Sequence, residues 1–229
     1  ALSIAFSLIG LSSLAQNSNT NQNKFRQLDS DLPTPNVYRT ASGAPGHEYW
    51  QNTADYTMAI RLDDENQRVY GKEEIIYTNA SPDNLEYLWV QLDQNMRSPD
   101  SETYKIQQGK LNNGVSLYEY FNMFHTFPGG FNIEHVKDAT GADYTVKVNH
   151  TMMRIDLDEP LKAGDSIAID IQWWYNINDR MEIGGRSGYE YFKKDDNYLY
   201  TITQFFPRMA VYNDVTGWQH KTFLGRGVF

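Results

Sequence analysis

Residues 47–51, His-Glu-Tyr-Trp-Gln, come close to a pattern that binds zinc. In H-E-x-x-H sites, two histidines four residues apart lie on one helix face and bind the same ion. Here Gln51 occupies the second histidine position, and Pro45 and Gly46 disfavour a helix just before the motif. The other histidines stand at positions unsuited to a shared ion: His125, His135, His150 and His220. The sequence therefore predicts no metal site in this chain.

Two pairs of adjacent carboxylates, Glu73-Glu74 and Asp195-Asp196, are candidates for acid and base chemistry. Neighbouring side chains of a strand point to opposite faces, so Glu73 and Glu74 cannot act together on one substrate. The second pair follows Lys193-Lys194 and is typical of a charged hairpin tip. We expect both pairs to lie on the solvated surface. With no nucleophile and base in a recognisable pattern, no catalytic residue is predicted.

Trp173-Trp174 raises a different possibility, a stacking platform for sugars. The same alternation argues against it, because the two rings point to opposite sides of a strand. Aromatic residues are also common in strands for reasons of packing alone. Carbohydrate binding is thus the weaker interpretation of this pair.

The segment 201–218 combines a strand pattern with a proline turn. Its pattern predicts one face made of Tyr198, Tyr200, Ile202, Gln204 and Phe206, in which Gln204 is the only amide. Pro207 lacks an N–H donor and is expected to take the chain out of the sheet. A polar side chain on a buried face needs a partner, and either a ligand or a neighbouring backbone group can be that partner for Gln204.

Composition and charge restrict the partners of the chain. The 229 residues carry a formal net charge of −9 with no cluster of Lys and Arg, which argues against nucleic acid and anionic lipid as partners. The chain has no cysteine, which excludes disulfides, thiol catalysis and thiolate zinc sites. Export without disulfides fits a bacterial periplasmic or secreted protein.

The first 45 residues divide into two segments that differ from the rest. Residues 1–15 are typical of a secretory signal peptide whose charged n-region is missing, with Ser13 and Ala15 before a cleavage site. A transmembrane helix is the competing interpretation, but the apolar stretch is short for a bilayer, and no membrane span is expected once the signal is removed. Residues 16–45 are predicted to be a polar, proline-containing leader.

From residue 46 onward, the hydrophobic pattern has a period of two. Alternating segments predict strands at 56–62, 69–77, 85–92, 144–148, 153–157 and 167–173, with turns at Asp63–Asn66, Asn79–Asp83, Asp158–Pro160 and Ala163–Asp165. A short helix is possible between Asp100 and His125, with one face formed by Leu117, Tyr120, Phe121 and Phe124. This organisation predicts an all-β domain, an antiparallel multi-sheet β-sandwich over residues 46–229.

Three segments carry a family resemblance. They read GKEEIIYTNASPDNLEYLWVQL at 71–92, LDEPLKAGDSIAIDIQWWY at 157–175 and TITQFFPRMAVYNDVTGWQHKTFLGRGVF at 201–229. The first runs from a strand through an Asn-x-Ser-Pro-Asp turn into a second strand, and the next contains a Pro-Leu-x-x-Gly turn. In this order and spacing they resemble the N-terminal domain of exported bacterial M1-family zinc metallopeptidases, which are chiefly aminopeptidases. The resemblance covers residues 49–229.

The resemblance implies a β domain that packs on a thermolysin-like catalytic domain. In that family, the catalytic domain carries a Gly-x-Met-Glu-Asn-like motif and H-E-x-x-H with a downstream Glu, which bind one zinc ion that activates water. None of these motifs occurs in residues 1–229. We therefore expect a fragment whose domain is truncated at its C-terminal end. Zinc and its ligands would belong to the parent enzyme, and this part alone is predicted to be inactive towards peptides.

One functional residue carries over through the resemblance. Family members use a Gln or Glu in a Thr-Gln segment of this domain to hold the free α-amino group of the substrate, and Thr203-Gln204 matches that segment. The amide oxygen of Gln204 can accept a hydrogen bond from an ammonium group. Many relatives have a second polar residue two positions later, where this chain has Phe206. That departure leaves amino-group binding to Gln204 alone.

Two further functions stay open at this point. The chain can instead be a stand-alone exported β-sandwich module that binds glycan or protein without enzymatic activity. It can also belong to a catalytically inactive relative that serves as a scaffold. The sequence does not determine the preferred side chain at the cleaved residue.

Overall fold

The computed structural model describes residues 35–106, 127–183 and 185–225, which belong to a compact unit that begins at Pro35. In chain order, the strands are β1 (Thr53–Asp63), β2 (Arg68–Thr78), β3 (Leu85–Gln91), β4 (Asn132–Lys137), β5 (Thr145–Asn149), β6 (Met152–Leu161), β7 (Ser166–Asn176), β8 (Gly188–Phe192), β9 (Asn197–Thr201), β10 (Arg208–Met209), β11 (Tyr212–Asn213) and β12 (Gly217–Trp218). The helical segments are a 3-10 helix (Asp93–Arg97), α1 (Glu102–Ile106) and α2 (Arg180–Ile183).

Two four-stranded antiparallel sheets form the body of the domain. The first has the order β1-β2-β7-β4, and the second has the order β10-β3-β6-β5. The pairs β8-β9 and β11-β12 form separate two-stranded sheets. These sheets confirm the predicted all-β, antiparallel multi-sheet class.

The sheets meet through the side chains that alternate inward. On the first sheet, β2 and β7 direct Ile75, Ile169 and Ile171 to the interior, where all three are inaccessible to solvent. On the second, Leu88 of β3 and Ile155 of β6 are equally buried. Residues of both sheets belong to one continuous hydrophobic cluster, which is the arrangement of a β-sandwich.

Most predicted strands are present, with one correction in β6. Residues 158–160 were expected to form a turn, but they lie inside β6, which continues to Leu161. The pairing with β3 shifts there, because Tyr87 pairs with Asp156 while Leu85 pairs with Leu161. Pro160 has no N–H to donate, so an irregularity in the ladder accommodates it. The turn predicted at Ala163–Asp165 is present at 163–164, where Gly164 has φ +84°.

A second correction concerns Glu73. The Glu73-Glu74 pair was expected on the surface, and Glu74 is indeed exposed, whereas Glu73 is completely buried. Glu73 shares the inward face of β2 with Val69 and Ile75, because every second residue of a strand faces the same side. The other carboxylate pair, Asp195-Asp196, lies in the turn between β8 and β9, as predicted.

Several predictions fall on parts of the chain outside the described residues. They include the signal peptide at 1–15, most of the leader, His125 and the helix face at Leu117, Tyr120, Phe121 and Phe124. Within the predicted helical region, α1 is present.

In the described part of the predicted leader, the guanidinium of Arg39 donates to both carboxylate oxygens of Asp214, at 2.6 and 3.1 Å. No helix in the described ranges is long and apolar enough to span a membrane.

Candidate functional site

Gln204 lies in an irregular segment between β9 and β10, and this corrects the sequence prediction. The pattern placed Ile202, Gln204 and Phe206 on a continuing strand, but the pairing of β9 with β8 ends at Thr201. Gln204 then adopts a left-handed backbone conformation with φ +51°. Such a conformation reverses the course of the chain and is unusual for a residue other than glycine. After buried Pro207, the chain joins the second sheet as β10.

The buried side chain of Gln94, in the 3-10 helix, holds the backbone around Gln204. Gln94 Nε2 donates to the carbonyl oxygens of Thr203 at 2.8 Å and Gln204 at 3.1 Å. Its amide oxygen accepts a hydrogen bond of 2.8 Å from Nη1 of Arg97. Gln94 is only 3% exposed, so these bonds form away from solvent, where hydrogen bonds are strong. Gln94 thereby links the Arg97 guanidinium to the backbone of Gln204.

A cavity of about 320 Å³ opens beside this linkage, and we call it the Arg97 cavity. Its lining includes Arg97, Gln204, Thr203, Arg186, Tyr104 and Gly185. The whole of Arg97 is 7% exposed, and burial lowers the pKa of its guanidinium, although nearby Tyr175 and Tyr104 oppose that shift. Arginine stays protonated at any physiological pH. The cavity therefore carries a permanent positive charge at its wall.

A second cavity, of about 240 Å³, shares Gln204 with the first. We call it the Arg208 cavity, and its other polar lining residues are Gln91, Asp93, Arg208, Gln219 and Lys221. Here Arg208 Nη2 lies 2.8 Å from Oδ2 of Asp93, so the arginine charge is neutralised within the protein. Burial raises the pKa of Asp93, and the charge of Arg208 acts in the opposite direction. The two cavities differ in this respect, because the first contains a buried arginine without an acidic partner in the described residues.

The side chain of Gln204 makes no hydrogen bond within the portion of the chain that the structure describes, and the residue is half-buried. Its carboxamide is therefore available to a ligand in either cavity. Phe206 lies at the position where the family resemblance implies a second polar residue for binding the α-amino group. Its ring packs edge-on against Tyr56, with the ring centroids 5.5 Å apart. Phe206 thus has a packing role and contributes no polar group.

The four histidines in the described ranges do not assemble a metal site. His47 lies in an exposed turn and not on a helix. His135 Nε2 lies 2.6 Å from Asp170, His150 lies 3.4 Å from Glu102, and the ring of His220 stacks on Trp89. In the described ranges, no three potential ligands among His, Asp and Glu converge on one point. The residues present do not fit the zinc ion that the family resemblance implies for the parent enzyme.

Sequence reasoning missed Gln94 and Arg97, which position the segment and charge the cavity. Both lie in the short 3-10 helix that follows Leu92, where neither a two-residue nor a 3.6-residue pattern marks them. One signal in the sequence could have indicated them. Gln94 and Arg97 are polar residues in the short segment after a buried strand, and polar side chains that are not solvated need hydrogen-bond partners.

Comparisons with known proteins add a structural likeness. No protein-family model and no curated protein matches the chain. One similar solved structure is an M1 zinc metallopeptidase from Deinococcus radiodurans, a mutant bound to the substrate Tyr-Ser-Ala. The sequences are 9% identical and the TM-score is 0.36, with 64% of this chain and 26% of that chain covered. This chain thus spans about a quarter of that peptidase, and a likeness of this degree carries no conclusion about function.

Proposed function

We propose that this chain is the non-catalytic N-terminal domain of an exported zinc-dependent M1-family metallopeptidase that hydrolyses N-terminal residues from peptides. The family resemblance of residues 71–92, 157–175 and 201–229 supports this assignment. In the proposal, zinc and its ligands belong to a thermolysin-like catalytic domain of the parent protein. The β domain packs on that domain and contributes one wall of the substrate site.

The conformation of Gln204 is the observation on which the proposal depends. A left-handed backbone at a residue other than glycine costs about 1–3 kcal/mol and is common at ligand-binding sites. Here the backbone carbonyls are held by Gln94, while the half-buried carboxamide has no hydrogen-bond partner in the described ranges. An α-ammonium group has donors for that oxygen, and binding it would break no existing hydrogen bond of the side chain.

The parent gene provides the first test. We expect the reading frame beyond the codon for Phe229 to encode H-E-x-x-H and a downstream Glu within roughly a hundred residues, the scale of one domain. The purified full-length protein should release an aminoacyl reporter, and a chelator should abolish that release. A full-length protein without the motif and without chelator-sensitive hydrolysis would contradict the proposal.

Substitution of Gln204 by alanine should lower kcat/KM of the full-length enzyme about 10- to 100-fold for alanyl and leucyl reporters, the effect of one lost hydrogen bond to a charged group. Gln204→Glu keeps an acceptor oxygen and should retain activity, which separates loss of the acceptor from disturbance of the backbone. Gln219→Ala is the matched control, because Gln219 lines the Arg208 cavity but already donates to Thr216. Equal activity of Gln204→Ala and Gln219→Ala would exclude the role of Gln204.

The second candidate function is a binding module for glycan or protein, and the β8-β9 hairpin favours it. Tyr191 and Tyr198 are cross-strand partners on this hairpin, with ring centroids 5.0 Å apart, and both are exposed. Exposed aromatic rings can stack on sugars or contact a protein. Titration of the purified protein with soluble oligosaccharides tests this: saturable binding that Tyr198→Ala removes would support the module, and its absence would exclude a glycan site on the hairpin.

A further inference from the structure

Among the residues that the structure describes, Arg97 has no acidic partner of the kind that a buried arginine normally has. The residue is 7% exposed, and its only hydrogen bond in the described part of the chain joins Nη1 to the neutral amide oxygen of Gln94. No carboxylate within the described ranges lies in ion-pair distance of its guanidinium. A charge removed from water without a counter-charge is costly. The arginine is therefore prepared for an anion that the described residues do not supply.

The free donors of this guanidinium face open space. Arg97 forms part of the wall of the 320 Å³ Arg97 cavity. Gly185 lies on the same wall, and a Cβ at that position would be 3.7 Å from Nη2 of Arg97. With hydrogen in place of a side chain, Gly185 leaves the approach to Nη2 open. A planar carboxylate matches the paired donors of a guanidinium better than any neutral group does.

Gln204 lines the same cavity, at a position tied to Arg97. The single amide of Gln94 bonds both the Arg97 guanidinium and the Gln204 carbonyl oxygen. An acceptor for a cation and a donor for an anion therefore border one space. The N-terminal residue of a peptide presents this combination when its side chain is acidic, because its ammonium nitrogen and its side-chain carboxylate are then separated by two carbon atoms in Asp and by three in Glu.

We propose that the Arg97 cavity binds the side-chain carboxylate of a ligand whose α-amino group lies at Gln204, so that the preferred peptides begin with Glu or Asp. The amino-group half of this statement rests on the proposed function, whereas the carboxylate half rests on Arg97 alone. Exposed Arg186 at the cavity lining adds a second positive charge. The family resemblance leaves the substrate class open, and Arg97 specifies it as peptides with an acidic first residue.

Isothermal titration of the full-length protein with four small probes tests carboxylate binding at Arg97 separately from amino-group binding at Gln204. The probes are glutamic acid α-amide, glutamine α-amide and the N-acetyl derivative of each. Glutamic acid α-amide should bind about 10- to 100-fold more tightly than glutamine α-amide, the range for a charge-assisted hydrogen bond. Equal affinity of these two isosteric probes overturns the inference. If N-acetylation leaves the affinity of glutamic acid α-amide unchanged while the preference for the carboxylate persists, the result supports the Arg97 half and contradicts the amino-group role of Gln204.

The variants Arg97→Gln and Arg97→Lys test whether this residue causes the preference. Arg97→Gln should bind the two amides equally, and Arg97→Lys should retain part of the difference because the charge is kept without the planar fork. Arg61→Gln removes the same charge from an exposed position outside the cavity and should leave the preference intact. If Arg97→Gln does not fold, the Arg97→Lys comparison and the wild-type probes still decide. A preference that survives in folded Arg97→Gln contradicts the assignment.

Discussion

Replacement of Glu73 by glutamine is expected to abolish a strong dependence of protein stability on pH. Glu73 is inaccessible to solvent, and neither carboxylate oxygen has a hydrogen-bond partner in the described residues. Burial penalises the charged form and raises the pKa of Glu73 from 4.5 to about 8. The hydroxyl of nearby Tyr56 accepts a hydrogen bond from the backbone N–H of Met209, and its pKa is raised by burial and by the charge of Glu73.

The direction of the effect follows from the protons bound in each state. Between pH 4.5 and about 8, folded Glu73 keeps a proton that the unfolded chain has released. The free energy of unfolding therefore falls as the pH rises, by about 1.4 kcal/mol per pH unit at the steepest. The contribution of the proton on Glu73 to the free energy of unfolding is complete below pH 4.5 and is lost above about pH 8. Glu73→Gln has no such proton, so the variant should be clearly more stable than the wild type at pH 8.

Denaturant unfolding at pH 5, 6, 7 and 8 measures this difference. Glu74→Gln is the matched control, because Glu74 is the next residue on the same strand and is exposed. That control should follow the wild-type dependence on pH. If Glu73→Gln and the wild type lose stability in parallel from pH 5 to pH 8, the buried acid is ionised in the folded protein and the prediction is wrong.

Truncation of Trp173 and of Trp174 to alanine should have very different consequences. Trp173 is 1% exposed, and its ring packs edge-on against Phe131 and stacks on Tyr175. Loss of such a buried ring costs about 3–5 kcal/mol. Trp174 lies half-buried on the opposite face, with the guanidinium of Arg68 over its ring at 4.8 Å. Its replacement should cost about 1 kcal/mol, the value of an exposed cation–π contact.

The partner of Trp173 across the sheet provides an internal check. Gly71 pairs with Trp173 in the register of β2 and β7, and a Cβ at Gly71 would lie 2.2 Å from Cζ2 of that ring. Gly71→Ala should therefore destabilise the wild type by about 1–3 kcal/mol through overpacking. In the Trp173→Ala background, the same change should cost less, because the ring is gone. Equal costs in both backgrounds, measured by denaturant unfolding, would show that Trp173 does not occupy the space above Gly71.

The strands of the two main sheets were largely predictable, because alternation is a property of neighbouring residues. The opposite orientation of Trp173 and Trp174 follows from the same rule and is confirmed. The same alternation places Glu73 on the inward face with Val69 and Ile75, although its charge favours the surface. A buried acid is rare enough that composition suggests the surface.

The candidate site was predictable only in part. The strand pattern marked Gln204 as the only amide of its predicted face, and the family resemblance gave it a role. The strand conformation predicted for it was wrong, because the end of a strand depends on where its partner ends. The sequence by itself determined the sheet class and the faces of the strands, which arise from local periodicity. Only the tertiary structure brought Arg97 and Gln94 to Gln204. The bond from Gln94 to Thr203 joins residues 109 positions apart in the chain, and no local pattern records a contact over that distance.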